Sequence, residues 1–165
     1  VGFEVPVDVG GEQVVLTGSV DRLELSAAGL YIVDYKTGRT PPDKHTLPTN
    51  EQLGVYQLAA MSGAFDHLAP GQRRVAGAEL VYLRLQDRGD QPYPKVFPQA
   101  SLQESPHAPD DLEEIRETYP TWVHARLAEA ARTVRAEEFV ARVGDSCRWC
   151  AFRASCPAQS SQVIL

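Results

Sequence analysis

A short apolar run at residues 30–33, Leu-Tyr-Ile-Val, most constrains what this chain can fold into, because two charged residues, Asp34 and Lys36, follow it at once. The run is rich in β-branched and aromatic residues, and turn-forming residues lie on both sides of it. It therefore predicts a strand over 30–36 that is buried on both faces, as in a sheet flanked by helices. A charge at the end of such a strand needs a partner, since burying it unpaired is costly.

Asp34 and Lys36 are two residues apart, so the predicted strand places both side chains on one face. A second carboxylate, Asp21, belongs to the strand pattern just before it. Two acids and a lysine that converge on one site are what metal-dependent hydrolysis of a phosphodiester requires. A competing interpretation is a structural ion pair between Asp34 and Lys36, with Asp21 and Arg22 as surface charges.

The rest of the chain alternates between strand and helix patterns separated by turn-forming residues. A good N-cap, Asn50, predicts a helix that runs to Ser62 and stops at Gly63. A helical stretch is predicted over 110–138, with a second segment that starts at Pro120 because proline breaks a helix unless it begins one. The other predicted elements are strands at 3–9, 13–25, 76–85 and 93–98, turns at 10–11 and 86–92, a loop at 37–49 and a loose linker at 101–109.

Composition agrees with a single domain inside the cell. With 165 residues and 43% hydrophobic content, the chain can bury one sizeable core. No apolar run approaches the roughly 20 residues that span a membrane, and no signal peptide is visible, so we expect a cytoplasmic protein with no membrane partner. The net charge of −6 counts against a broad nucleic-acid surface, so we expect this stretch to bind DNA poorly on its own.

Four motifs follow one another along the chain: Gly-Ser-Val-Asp-Arg at 18–22, Val-Asp-Tyr-Lys-Thr-Gly at 33–38, Gln-Leu-Gly-Val-Tyr at 52–56, and a cysteine-rich end. In this order they resemble the RecB-type branch of the PD-(D/E)XK nucleases, most closely the nuclease domains of AddB and AdnA/AdnB helicase–nuclease subunits. The resemblance runs from about Val1 to Pro157. It implies an α/β, restriction-endonuclease-like core, with a mixed sheet of four to five strands flanked by helices and a cysteine-rich C-terminal tail.

The resemblance assigns roles to the charged residues. Asp21, Asp34 and the carbonyl of Tyr35 would hold Mg²⁺ or Mn²⁺, hard cations that take oxygen ligands. Lys36 would position the attacking water and offset charge that develops on the phosphate. Glu4, on the first predicted strand, could add a further carboxylate.

Two residues of the predicted helix join this set. Gln52 and Tyr56 are four residues apart and share a helix face, and the resemblance implies that both approach the active site or the DNA backbone. The alternative is a solvated amide at Gln52 and a core aromatic at Tyr56. Members of the family also use a histidine on a helix before the first strand. The histidines of this chain lie downstream of that position: His45, His67, His107 and His124.

The resemblance also implies a division of the chain and a set of partners. Residues 1–140 correspond to the nuclease core, without its N-terminal helices, and residues 141–165 to the cysteine-rich tail. DNA is the implied substrate, as single strands or duplex ends, and a helicase domain or subunit is the implied partner. The implied setting is a bacterial repair or recombination complex, and we expect the isolated stretch to be inactive.

The cysteines of the chain, Cys147, Cys150 and Cys156, are spaced Cys-x2-Cys-x5-Cys near its C-terminus. An odd number of clustered cysteines in a protein inside the cell indicates a soft metal rather than disulfides, and the residues alone leave zinc and an iron–sulfur cluster open. The resemblance implies three ligands of a [4Fe-4S] cluster, whose fourth cysteine would lie upstream of the chain. Three unligated cysteines in a tail are the alternative.

Two other functions stay open at this point. The first is a nuclease-like domain that guides or binds DNA inside a larger machine without cutting it. The intact set of Asp21, Asp34 and Lys36 argues against that function. The second is a zinc-binding interaction module in which the acidic strand residues are incidental, and the metal content, iron or zinc, distinguishes it from the nuclease.

Overall fold

The computed structural model describes residues 1–86, 93–137 and 139–158. The chain forms two compact units, divided between Glu129 and Ala130. Short 3₁₀ turns occupy Leu47–Thr49, Asp145–Trp149 and Arg153–Ser155. The strands and α-helices within the described residues are β1 (Gly2–Asp8), β2 (Gln13–Ser19), β3 (Arg22–Ser26), β4 (Gly29–Lys36), α1 (Glu51–Met61), β5 (Val75–Gln86), β6 (Pro94–Gln99), α2 (Glu113–Thr118) and α3 (Trp122–Ala136).

Four strands form one mixed sheet in the order β3-β4-β5-β6. β4 and β5 run parallel, so the chain crosses over between them through α1, whereas β3–β4 and β5–β6 are antiparallel pairs. β1 and β2 form a separate antiparallel hairpin, whose turn contains Gly10 and Gly11 at φ of +73° and +85°. This architecture confirms the predicted α/β fold with a mixed sheet of four to five strands.

The apolar run at residues 30–33 lies in the centre of this sheet, as its composition predicts. Leu30 and Ile32 are fully buried, and Val33, on the other face of β4, is 4% exposed. Ile32 belongs to the main core, together with residues of the hairpin, α1 and β5. The last residues of β4 therefore extend from a rigid, buried strand to the edge of the core.

The single strand predicted over 13–25 is wrong, because the chain leaves one sheet and enters another within it. Between β2 and β3, Val20 is 1% exposed and donates its N–H to the carbonyl of Val1 at 2.9 Å. Asp21, the next residue, directs its carboxylate to the backbone of β4. Strand-forming residues lie on both sides of this break, so the sequence pattern does not reveal it.

The helix predicted after Asn50 is confirmed as α1. The Asn50 side-chain oxygen accepts a hydrogen bond from the N–H of Leu53 at 3.1 Å, as an N-cap does. The helix ends at Met61, and Gly63 follows at φ +98°, a conformation that other residues rarely adopt. The N-terminal turn of α1 lies next to the end of β4, because Gln52 in this turn bonds to Asp34 and Lys36.

The loose linker predicted at 101–109 is wrong, because this segment is anchored in the core. Ser101 and Leu102 are each 1% exposed. The Ser101 hydroxyl donates to the carbonyl of Val75 at 2.6 Å, and the N–H of Leu102 donates to the side chain of Gln57 at 3.0 Å. These tertiary hydrogen bonds satisfy polar groups that would otherwise keep such a segment at the surface.

The helical stretch predicted over 110–138 divides into α2 and α3. The chain is extended at Tyr119, and α3 begins two residues after Pro120, close to the predicted start of the second segment. Glu138 and residues 87–92 of the predicted turn lie outside the described residues. Among the described helices, none is long and apolar enough to cross a membrane.

Candidate active site

Asp34 and Lys36 form an ion pair at the end of the central strand. Asp34 is 5% exposed, and its Oδ2 lies 2.6 Å from Lys36 Nζ. Oδ2 is itself buried, and among the described residues its contact with Lys36 is an ion pair without the geometry of a hydrogen bond. The other carboxylate oxygen accepts one from Gln52. The ammonium of Lys36 and the amide of Gln52 thus compensate the charge of a carboxylate that water hardly reaches.

Gln52 connects this ion pair to helix α1. Its Oε1 accepts a hydrogen bond from Lys36 Nζ at 2.6 Å, and its Nε2 donates to Asp34 Oδ1 at 3.2 Å and to the Tyr56 hydroxyl at 2.9 Å. The Tyr56 ring packs edge-on against Phe3, with ring centroids 6.1 Å apart. Tyr56 therefore serves the core with its ring and joins the polar network with its hydroxyl. The network contains four of the predicted site residues: Asp34, Lys36, Gln52 and Tyr56.

Asp21 is held against the same strand from the β3 side. Arg22 pairs with Val33, so the preceding residue, Asp21, lies across from the end of β4 that carries Asp34. Asp21 Oδ2 accepts a 2.8 Å hydrogen bond from the N–H of Tyr35. This bond fixes the exposed carboxylate beside the backbone of the Asp34–Lys36 segment.

Glu4 and the histidines lie apart from this network. Glu4 is exposed on β1, on the opposite face from the buried Phe3. Among the described residues, no hydrogen bond or ion pair joins Glu4 or a histidine to the network. His124 instead contacts the Thr121 hydroxyl through Nδ1 at 2.8 Å at the start of α3, and burial lowers the pKa of His124 below its ordinary value.

The oxygen donors at this site fit a hard divalent cation. Within residues 1–86, 93–137 and 139–158, no group of three or more His, Cys, Asp or Glu side chains could hold a metal ion. Two carboxylates, Asp21 and Asp34, lie at the end of β4, and the sequence motifs imply the backbone carbonyl of Tyr35 as a third donor. Mg²⁺ commonly takes one or two carboxylates and keeps several waters, so this donor set suits it.

A second, buried amide network fixes α1 in place. Gln57 is fully buried, and its Nε2 donates to Gln99 Oε1 at 2.9 Å and to the carbonyl of Ala100 at 3.2 Å. Gln99 Nε2 in turn lies within 3.2 Å of the carbonyl oxygens of Leu47, Pro48 and Asn50. This network ties the segment before α1 to β6.

A groove of about 460 Å³ opens beside Gln52 and was not predicted from the sequence. Helix α3 forms one wall because Gly54 lets it approach α1 closely: a Cβ at Gly54 would lie 2.5 Å from the ring of Trp122. Arg126, one turn after Trp122, is the α3 residue in the groove. No local pattern links Arg126 to Gln52, since the two residues are distant in sequence. The groove is lined by Thr46, Thr49, Asn50, Glu51, Gln52 and Arg126.

The opposite face of the sheet carries a separate pair of polar contacts. The Tyr31 hydroxyl donates to Glu79 at 3.0 Å, and burial, followed by this hydrogen bond, raises the pKa of Tyr31. Arg22 donates to the Tyr35 hydroxyl at 3.4 Å, and this hydrogen bond raises the pKa of Arg22. Alternation along β4 separates these residues from the face that carries Asp34 and Lys36.

The predicted metal-binding cysteines are free thiols in the structure. Cys147 and Cys156 are partly buried, and Cys150 is exposed. The N–H of Gly144 donates to Cys147 Sγ at 3.3 Å. No metal-binding group is formed by them within the described residues, and three thiolates leave a four-ligand cluster one ligand short.

Comparison with known proteins bears on the family of the chain. No curated protein matches the chain. Among solved structures, the chain is similar to the crystal structure of SSO0001, with 18% identical residues and a TM-score of 0.49; the match covers 96% of this chain and 59% of that one. The chain thus spans less than two thirds of that structure. Residues 1–157 match the PD-(D/E)XK nuclease superfamily, and because this match covers nearly the whole sequence, the chain belongs to that superfamily.

Proposed function

We propose that this chain is a DNA nuclease domain that hydrolyses phosphodiester bonds with the help of Mg²⁺ or Mn²⁺. Membership of the superfamily makes it a nuclease-like domain. The observation that carries the proposal further is the cluster at the end of β4, where the buried Asp34 is ion-paired to Lys36 at 2.6 Å and Gln52 bonds to both. A structural Asp–Lys pair would not need the second carboxylate, Asp21, which the N–H of Tyr35 holds beside it.

The cation would be held by Asp21, Asp34 and the carbonyl of Tyr35. When bound, it would polarise the phosphate and acidify a water molecule. The hydrogen bond from Gln52 orients the carboxylate of Asp34, and the N–H of Tyr35 orients that of Asp21. Such outer contacts keep ligand oxygens in place before a cation arrives.

Lys36 would hold the attacking water and offset the negative charge that develops on the phosphate. An ammonium group has three N–H donors. Two neighbours, Asp34 Oδ2 and Gln52 Oε1, each lie 2.6 Å from Nζ, so one donor direction is left for a water or a phosphate oxygen. Lys36 is partly exposed, which leaves that direction open to substrate.

The wider context follows from the motif order rather than from the geometry. We propose that the domain belongs to the RecB-type branch and works with a helicase domain or subunit in a DNA repair or recombination complex of the bacterial cytoplasm. The net charge of −6 supports a partner that supplies part of the DNA path, because a net negative charge opposes the approach of the DNA backbone.

The iron–sulfur cluster is a separate proposal, limited to the tail. Cys147, Cys150 and Cys156 would provide three ligands of a [4Fe-4S] cluster, and the fourth ligand would come from outside this stretch. Iron and sulfide analysis of the full-length protein tests it. Zinc in place of iron would contradict it and would favour the zinc-binding module.

The test of the nuclease proposal is cleavage of end-labelled single-stranded DNA by the full-length protein in Mg²⁺ and in Mn²⁺. We expect metal-dependent cutting that falls by at least about 100-fold in Asp34→Asn, because the substitution removes the charge that would hold the cation. The urea midpoint of each variant shows whether its fold is intact.

The matched control is Asp66→Asn, which removes one carboxylate charge beyond the far end of α1, where Asp66 pairs with Arg73. It should cut at the wild-type rate. Wild-type cutting by Asp34→Asn would contradict the assignment of the site. A folded wild-type protein that cuts in neither metal would favour the DNA-guiding domain instead.

A further inference from the structure

The groove beside Gln52 shares that residue with the candidate active site. Gln52 lines the groove and also bonds to Asp34 and Lys36. A strand whose scissile phosphate lies at Asp34 would therefore meet the groove with the next part of its backbone. Resting on the proposed function, we propose that this groove binds a phosphate adjacent to the scissile one, with Arg126 as its main contact.

The lining of the groove favours a phosphate over a base. Its side chains are polar, and none of the six is aromatic, so the groove offers no surface for base stacking. Hydroxyl and amide groups, such as those of Thr46, Thr49 and Asn50, commonly contact the sugar–phosphate backbone. The Asn50 side-chain oxygen already accepts from Leu53, which leaves its amide N–H groups as donors.

Arg126 is the cation of this groove and is available for binding. Its guanidinium offers several donors in a planar fork that matches two phosphate oxygens. Its ion-pair partner, Glu129, lies 3.9 Å away, beyond hydrogen-bond distance, and both side chains are more than half exposed. Glu51 also lines the groove and is negatively charged. An anion is therefore attracted most strongly to the side of the groove that α3 forms with Arg126.

Both walls of the groove are held by buried contacts, so the site does not have to form on binding. Gln99 anchors the carbonyl groups of the segment before α1. On the other wall, the ring of Trp122 packs against Gly54, and the backbone N–H of Trp122 donates to the carbonyl of Pro106 at 2.7 Å. A preformed site loses less entropy when it binds a strand.

The test compares Arg126→Gln with wild type in the full-length protein. The affinity for a fluorescent single-stranded oligonucleotide is measured in Ca²⁺ without cleavage, at several salt concentrations. We expect the Kd to rise about 10-fold, since a charge-assisted hydrogen bond to phosphate is lost. The salt slope should fall by about 0.7, the value for one contact to a single strand. In cleavage assays KM should rise while kcat stays within about twofold, because a uniform binding contact is lost.

The matched control is Arg74→Gln, which removes the same charge at the start of β5, the end of the parallel strands away from Lys36. It should leave the Kd and the salt slope unchanged. A second measurement locates the contact: oligonucleotides with one neutral methylphosphonate linkage are compared along the strand. With the neutral linkage at one position, binding to wild type should weaken about 10-fold. Binding to Arg126→Gln should not change, because that variant already lacks the contact.

Each outcome separates this proposal from the nuclease proposal. Equal affinity and salt slope in Arg126→Gln and wild type would overturn the groove assignment while leaving cleavage intact. The groove assignment would also be overturned if the neutral linkage weakened binding to Arg126→Gln as much as binding to wild type. An absence of DNA binding by wild type would overturn it too. If wild type binds DNA with the expected pattern but does not cleave it, only the proposal of nuclease activity would be overturned.

Discussion

Two glutamines on α1, five residues apart, serve two different polar networks. Gln57 is fully buried and joins neutral amides and backbone groups around Gln99. Gln52 is exposed at the N-terminal turn and joins the charged groups of Asp34 and Lys36. The first network serves the fold. Its hydrogen bonds replace those that the amides would make to water, so the buried polar groups are not left unsatisfied.

The second network differs in what it leaves open. Asp34 is a buried charge whose counter-ion is Lys36, and Lys36 retains a donor direction towards solvent. An arrangement that is charged and incompletely bonded adds little stability but can bind a further group. The comparison indicates that one helix can anchor the core with one glutamine and support chemistry with another.

Among the changes that test this comparison, Gln52→Met has the largest expected effect, which is on cleavage. Without the amide, Asp34 loses a donor and Lys36 loses an acceptor, so both groups lose their orientation. We expect the cleavage rate to fall about 10- to 100-fold, which is typical when a residue that hydrogen-bonds to a metal ligand is replaced. The free energy of unfolding should change by less than about 1 kcal/mol. Initial rates and urea denaturation measure the two quantities. An unchanged rate would show that Gln52 is only a surface residue.

The matched change in the other network is Gln57→Met, which has a similar shape and removes the same amide. It leaves the side-chain oxygen of Gln99, the backbone carbonyl of Ala100 and the N–H of Leu102 without the bond to Gln57. We expect the free energy of unfolding to fall by about 3 kcal/mol, because buried polar groups are left unsatisfied. The cleavage rate of the remaining folded protein, measured well below its Tm, should stay within about threefold of wild type. A large rate loss with little destabilisation would break the comparison.

The smallest expected effect concerns the opposite face of the sheet, where the pKa of Tyr31 is raised by burial and by its contact with Glu79. An unfolded tyrosine ionises near pH 10, whereas the folded one keeps its proton to higher pH, so its stabilising contribution is present below about pH 10 and is lost above it. Tyr31→Phe should be less stable than wild type by about 1 kcal/mol near pH 9, and the difference should shrink as the pH rises. Urea midpoints at several pH values measure it. A constant difference would mean that ionisation of Tyr31 is not linked to folding.

Much of the fold and of the candidate site can be predicted from local patterns. The apolar composition of residues 30–33 predicts the central strand, and alternation along it places Asp34 and Lys36 together. The four-residue spacing of Gln52 and Tyr56 places them on one helix face. These predictions work because each depends on neighbours within a single element.

The wrong predictions depend on contacts between elements. The strand over 13–25 breaks where Val20 bonds to Val1 and Asp21 to the backbone of β4. The segment at 101–109 is polar and rich in turn formers, yet hydrogen bonds to distant groups anchor it in the core. Composition records the local preference of a segment and contains no information about such partners.

The sequence by itself determined the central strand, the helix that follows it, and the order of the motifs that identify the superfamily, because these follow from periodicity, capping and spacing along the chain. Only the tertiary structure decided that Gln52 bridges Asp34 and Lys36, that Gln57 is buried against Gln99, and that Arg126 lies beside the site. The physical reason is the packing of the elements, here the close approach of α3 to α1 at Gly54. That approach brings together side chains that no local pattern relates.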